Sequence, residues 1–113
     1  MRAVEAAPIL EREDGVSVEI VDLRTLVPYD AGRLRRSVEK TSRVLATCEA
    51  PRTGCFGNTI VADIARTCFE SLDAPIQLVA AADTPVPFSP VLEAAHLPTT
   101  GKLVKALREL LAY

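Results

Sequence analysis

The segment from Val16 to Asp30 constrains the fold most, reading Val-Ser-Val-Glu-Ile-Val-Asp-Leu-Arg-Thr-Leu-Val-Pro-Tyr-Asp. Val16, Val18, Ile20 and Val21 are β-branched, and the run is too apolar for a surface helix. It therefore predicts a buried strand. Pro28 stops regular pairing, because it lacks an N–H and restricts Val27 to extended backbone. Asp30 follows as a candidate N-cap for a helix starting near Ala31. A strand apolar on both faces needs a layer on each face. That points to an α/β sandwich with a mostly parallel sheet.

Length sets the scale at one domain, since the chain has 113 residues. A hydrophobic content of 49% excludes a disordered chain. The net charge of −2 gives no reason to expect nucleic acid or an anionic membrane as partner. No apolar run is long enough for a membrane span, and the N-terminus lacks the apolar core of a secretory signal. Cys48, Cys55 and Cys68 are odd in number and lack zinc-site spacing. They read as buried reduced thiols of a cytoplasmic protein.

Along the chain, residues 3–13 read as a short helix, with Ala3, Ala6, Ala7 and Leu10 on its apolar side. Pro8 suits a first turn better than an interior, so the helix is expected to start near it. Gly15 is placed as its C-terminal stop. A second helix is predicted over 31–41, with Leu34 and Val38 on one face. Residues 44–48 form a second buried strand, ending at Glu49 on a carboxyl edge of the sheet. Ligands gather outside that edge in open parallel sheets, so Glu49 is the acid to examine. Its structural alternative is an anchor for the following loop.

The loop 50–57 precedes a third helix over 58–72, whose Ile60, Ile64, Cys68 and Leu72 recur every fourth residue. Gly54-Cys55-Phe56-Gly57 lacks the Lys-Ser/Thr of a phosphate-binding loop. Close packing of the helix start on the sheet explains these glycines better. A third strand is predicted over 76–81. The proline-rich segment 83–90 is then extended, and 91–95 form one helical turn. His96 has no Ser, Cys or Asp at a catalytic spacing and reads as structural or solvent-facing. Thr100 is a plausible N-cap for a final helix over 101–111, with Leu103, Val104, Leu107, Leu110 and Leu111 inward and Lys102, Lys105, Arg108 and Glu109 wet.

Taken in order, these motifs carry a family resemblance. Asp22-Leu-Arg-Thr-Leu26, Pro28 and Asp30 resemble the hallmark of the transketolase C-terminal domain, most closely as found in beta subunits of 2-oxoacid dehydrogenases. The likeness continues through Arg43-Val-Leu-Ala-Thr-Cys-Glu49, Gly54 and Gly57, Leu72-Asp-Ala-Pro75, Asp83-Thr-Pro-Val-Pro-Phe88, Leu92-Glu93 and Leu97-Pro98. It implies one such domain over 1–113, folded as a three-layer α/β/α sandwich with a mixed, mostly parallel sheet. The family domain opens with a strand before the helix that 3–13 resemble. Met1 falls inside or just before that helix, so this first strand is expected to be missing. The exposed sheet edge is then expected to be filled by a partner, a symmetry mate or a rearranged N-terminus.

The resemblance also implies a function. The parent enzymes are thiamine-diphosphate-dependent pyruvate or branched-chain dehydrogenases, which decarboxylate a 2-oxoacid and pass the acyl group to a lipoyl domain. This domain supplies subunit contacts and a docking surface for the dihydrolipoyl acyltransferase, beside the alpha subunit. It supplies no catalytic residue, binds no thiamine diphosphate and holds no metal. The pyrimidine-binding domain of the beta subunit lies outside these residues, so the chain is not expected to be an enzyme alone. Asp73 and the C-terminal carboxylate of Tyr113 fall where the family docks basic residues of the acyltransferase. Partners are thus a second copy or the remaining beta-subunit domain, the alpha subunit and the acyltransferase, with no nucleic acid or membrane. The implied compartment is the cytoplasm, or the mitochondrial matrix in a eukaryote. Two alternatives stand beside this reading. One is the same domain in transketolase or deoxyxylulose-phosphate synthase; the other is a stand-alone small-molecule-binding α/β module.

Overall fold

A computed structural model describes residues 2–113. Its first helix, α1 (Arg2–Asp14), runs unbroken through Pro8. The expected start near Pro8 is therefore replaced by a helix with proline in its interior. Pro8 is exposed, while Ala6 and Leu10, one turn apart, are fully buried. Ala6 packs with Leu103 and Val104, and this burial offsets the bond that Pro8 removes. Gly15 follows at φ +68°, the left-handed backbone that closes a helix and that glycine adopts without a Cβ penalty.

The predicted opening strand does not form. Residues 15–26 adopt no regular element. From Val16 to Asp22, the only described main-chain hydrogen bond between backbone groups runs from Val16 N to Leu10 O at 3.4 Å. A strand is held by a neighbour's backbone, and none lies alongside. Val16, Val18 and Val21 are still half-buried, so the apolar pattern does its packing without a ladder. Asp30 caps α2 (Ala31–Thr41) as expected, its Oδ1 accepting from Arg33 N at 2.9 Å. Ser42 closes that helix at φ 59°, its N–H bonded to Val38 O.

β1 (Leu45–Pro51) leads to α3 (Phe56–Thr67), which is followed by a 3-10 turn over Phe69–Ser71. The single helix expected over 58–72 is thus divided at Cys68, whose φ of −122° lies outside the helical range. β2 (Gln77–Ala81) pairs with β1 in parallel, Leu45 opposite Gln77 and Thr47 opposite Val79, with a register shift before Pro51 and Ala81. α4 (Pro90–His96) and α5 (Thr100–Leu111) complete the chain. Thr99, not Thr100, caps α5 by accepting from Lys102 N.

Three layers follow from the alternation of the strands. Leu45 and Val79 pack against the cluster of α1 and α5 formed by Ala6, Leu103 and Val104. Val44 and Ile76 pack on the opposite cluster of Val38, Ile60, Ile64 and Cys68 from α2 and α3. The sheet is narrower than expected, with two strands among the described residues, and each has an unpaired edge. Arg108, Glu13 and Asp14, expected to be simply solvated, instead clasp α5 to α1: Arg108 Nη2 lies 2.6 Å from Glu13 Oε2 and 3.0 Å from Asp14 Oδ2.

Candidate functional site

The proposed docking pair is organised by a residue between α2 and β1. Ser42 O accepts from Asp73 N at 2.9 Å, which brings the turn before β2 beside the chain entering β1. Arg43 then reaches across to the end of α5. Its Nε donates to Leu110 O at 3.2 Å and its Nη2 to Tyr113 O at 2.9 Å. Its Nη1 lies 3.7 Å from Asp73 Oδ2. The guanidinium thus satisfies carbonyls at a helix C-terminus, where the backbone dipole favours a cation. It also draws Asp73 and Tyr113 to one place.

Both predicted docking residues remain open to solvent, with Tyr113 62% exposed and the Asp73 side chain equally so. Phe69, in the 3-10 turn just before Asp73, is also exposed. Arg43 therefore has an exposed acidic group, Asp73, on one side and the exposed Tyr113 on the other. Sequence reasoning missed Arg43. A lone arginine before a strand carries no local signal for partners that lie 67 and 70 positions away.

Glu49 takes no part in this patch. It is exposed on β1, and no hydrogen bond or ion pair reaches its side chain among the described residues. Neither does it anchor the loop that follows. Asp83 has that role, accepting from Thr53 N at 2.8 Å and from Thr53 Oγ1 at 2.7 Å. These bonds, the side-chain one first, hold the Asp83 carboxyl below its ordinary value. Arg52 N donates to Ala81 O, and Asn58 Nδ2 to Arg52 O, holding the loop to β2 and to the start of α3. Of the loop's two glycines only Gly57 serves packing as expected; Gly54 has open space around its Cβ position and instead takes a positive φ of +77°. A Cβ on Gly57 would sit 3.1 Å from Leu78 Cδ1, so the bare backbone is what lets α3 approach the sheet.

His96 is a buried structural group, its Nδ1 3.0 Å from Thr84 Oγ1 and its carbonyl accepting from Ala82 N. A cavity of about 580 Å³ lies between α1 and α5, lined by Ile9, Val104 and Arg108 among others. A second, of about 410 Å³, follows the outer edge of β2 beside Lys102 and Lys105. Among the described residues no group of three or more His, Cys, Asp or Glu is placed to hold a metal ion. No described helix is long and apolar enough to cross a membrane.

Comparison with known proteins agrees with this architecture. Residues 1–103 match the family described as "Transketolase, C-terminal domain". Among curated proteins, the chain is 41% identical over 110 residues to the 2-oxoisovalerate dehydrogenase subunit beta 2, mitochondrial, of Arabidopsis thaliana, covering 97% of this chain and 30% of that protein. It is 44% identical over 109 residues to the acetoin:2,6-dichlorophenolindophenol oxidoreductase subunit beta of Bacillus subtilis, covering 96% and 32%. With the pyruvate dehydrogenase E1 component subunit beta of Staphylococcus aureus the identity is 40% over 111 residues, covering 98% and 34%. The chain spans about a third of the length of these relatives. It belongs to the transketolase C-terminal domain family, in the form found in beta subunits of 2-oxoacid dehydrogenases.

Proposed function

We propose that this chain is the assembly and docking module of a thiamine-dependent 2-oxoacid dehydrogenase beta subunit. It holds subunits together and receives the acyltransferase, while decarboxylation and transfer to a lipoyl group take place on other parts of the enzyme. The observation that carries this reading is the convergence of Asp73 and Tyr113 on Arg43 at an exposed surface. Arg43 fixes their spacing, so a basic partner meets a preset arrangement and loses less freedom on binding. A lysine or arginine of the partner exchanges with Arg43 for the Asp73 carboxylate, in a charge-assisted bond.

The parent enzyme's thiamine diphosphate belongs, on this reading, to domains outside these residues. The alpha subunit and a second copy of the beta subunit are the remaining partners. The unpaired edges of β1 and β2 are covered in that assembly, because open main-chain groups otherwise recruit unrelated strands. Size-exclusion chromatography with light scattering tests the reading. The purified chain mixed with the subunit-binding domain of a dihydrolipoyl acyltransferase is expected to elute as a complex. Separate elution at concentrations well above the micromolar range contradicts it.

A further inference from the structure

Two cysteine sulfurs meet at the carboxyl end of the sheet, on either side of a glycine. Cys48 lies on β1, and Cys55 is the N-cap residue of α3. A Cβ built on Gly57 would be 3.3 Å from Cys55 Sγ and 3.4 Å from Cys48 Sγ, so both sulfurs border the same small space. Both are free thiols. Their surroundings differ: Cys48 is half-buried, whereas Cys55 is buried. Cys48 Sγ lies 3.9 Å from Ala50 O, and Cys55 Sγ lies 3.7 Å from Asn58 Nδ2. Cys68 is apart from them, in the core cluster with Val38, Ile60 and Ile64.

We infer that Cys48 and Cys55 form a reversible intramolecular disulfide, made and broken by exchange with low-molecular-weight disulfides and thiols. Glutathione disulfide is the oxidant. The more accessible Cys48 sulfur, as thiolate, attacks one glutathione sulfur. The glutathione S–S bond breaks, a Cys48–glutathione bond forms, and one glutathione leaves as thiol. Cys55, as thiolate, then attacks Cys48 Sγ and releases the second glutathione. In the balance, two protein S–H bonds are lost, one S–S bond is gained, and two glutathione thiols carry off the protons. Closing the bond brings the sulfurs to about 2 Å. It ties Cys48 of β1 to the N-cap residue of α3 and adds a covalent link across the loop that Thr53 and Asp83 also hold. Burial, with the Cys55 thiol beside it, pushes the Cys48 thiol up from its ordinary value, so the first exchange quickens as pH rises.

Arg52 stands between the two cysteines, so trypsin separates them into peptides 44–52 and 53–66. The reduced chain is incubated with glutathione disulfide, quenched in acid with a thiol-alkylating reagent, digested and examined by mass spectrometry. The expected product is the linked pair of these peptides, cleaved by dithiothreitol, with Cys68 alkylated as a free thiol. Cys55→Ser protein is expected to retain glutathione on Cys48, decaying at least about tenfold more slowly than the same adduct in the wild type. Stable glutathione adducts on both wild-type cysteines, unmodified thiols at both, or a link through Cys68 would overturn the inference.

Discussion

Arg43 Nη2 donates to the main-chain oxygen of Tyr113 at 2.9 Å, joining residues 70 positions apart in sequence. The same guanidinium lies beside Asp73, so one side chain ties the turn before β2 to the end of α5. Arg43→Ala leaves the carbonyls of Leu110 and Tyr113 to water. The loss is expected to be about 1–2 kcal/mol by chemical denaturation, because Arg43 is partly shielded and its bonds are charge-assisted. Amide exchange over 110–113 should accelerate, while exchange in α2 stays as in the wild type. Unchanged exchange at the end of α5 would show that the tether carries no energy.

The interface between α1 and α5 is the second prediction. Leu103 is 1% exposed and packs with Ala6 and Val104. Leu103→Ala should cost about 2–5 kcal/mol, from lost burial plus the remaining cavity. Urea denaturation measures it. A loss below about 1 kcal/mol would mean that α1 contributes little to the core.

Tyr29 reports on the opposite layer. Its hydroxyl donates to Asp63 Oδ2 at 2.7 Å, and its ring meets Phe56 edge-on with centroids 6.5 Å apart. Tyr29→Phe keeps the ring and removes the bond, at an expected cost of about 1–2 kcal/mol at neutral pH. The Asp63 bond first, and burial second, push the Tyr29 phenol above its ordinary value. A raised folded value stabilises below the unfolded pKa of about 10 and is lost as pH climbs through the folded one. The gap between wild type and Tyr29→Phe should therefore be constant at neutral pH and close in strong alkali.

Asp83 behaves in the opposite sense. Its depressed carboxyl contributes stability above the unfolded value, and that contribution disappears as pH falls through the folded one. Thr53→Val removes the side-chain bond that is the larger cause. Titration followed by NMR should show the Asp83 midpoint move up toward the ordinary carboxylate range. A midpoint that stays put would assign the shift to another group.

The helices were legible because their apolar residues repeat at helical spacing and their ends carry local chemistry. Asp30 and Gly15 are examples: one side-chain oxygen and one missing Cβ mark the boundaries where the structure places them. The strand at 16–21 was misread because a strand is not a local object. Val16, Val18, Ile20 and Val21 describe a surface suited to a sheet, but pairing depends on a backbone that no nearby residue supplies. Asp73 and Tyr113 are docking candidates on the strength of a resemblance alone, whereas Arg43 gave no signal, since its partners meet it only after β1 and α5 have packed. Asp83 escaped for a similar reason. Its partner Thr53 is 30 positions away, and Glu49 lay closer in sequence to the loop that Asp83 holds.

Isothermal titration of the chain with the acyltransferase subunit-binding domain tests the docking role most directly. Asp73→Lys sets a like charge against a basic partner, and the carboxylate it removes is exposed, so the fold should persist. Binding weakened by at least about tenfold, with the wild-type circular dichroism spectrum retained, is the predicted result. Equal affinity for wild type and Asp73→Lys would contradict it.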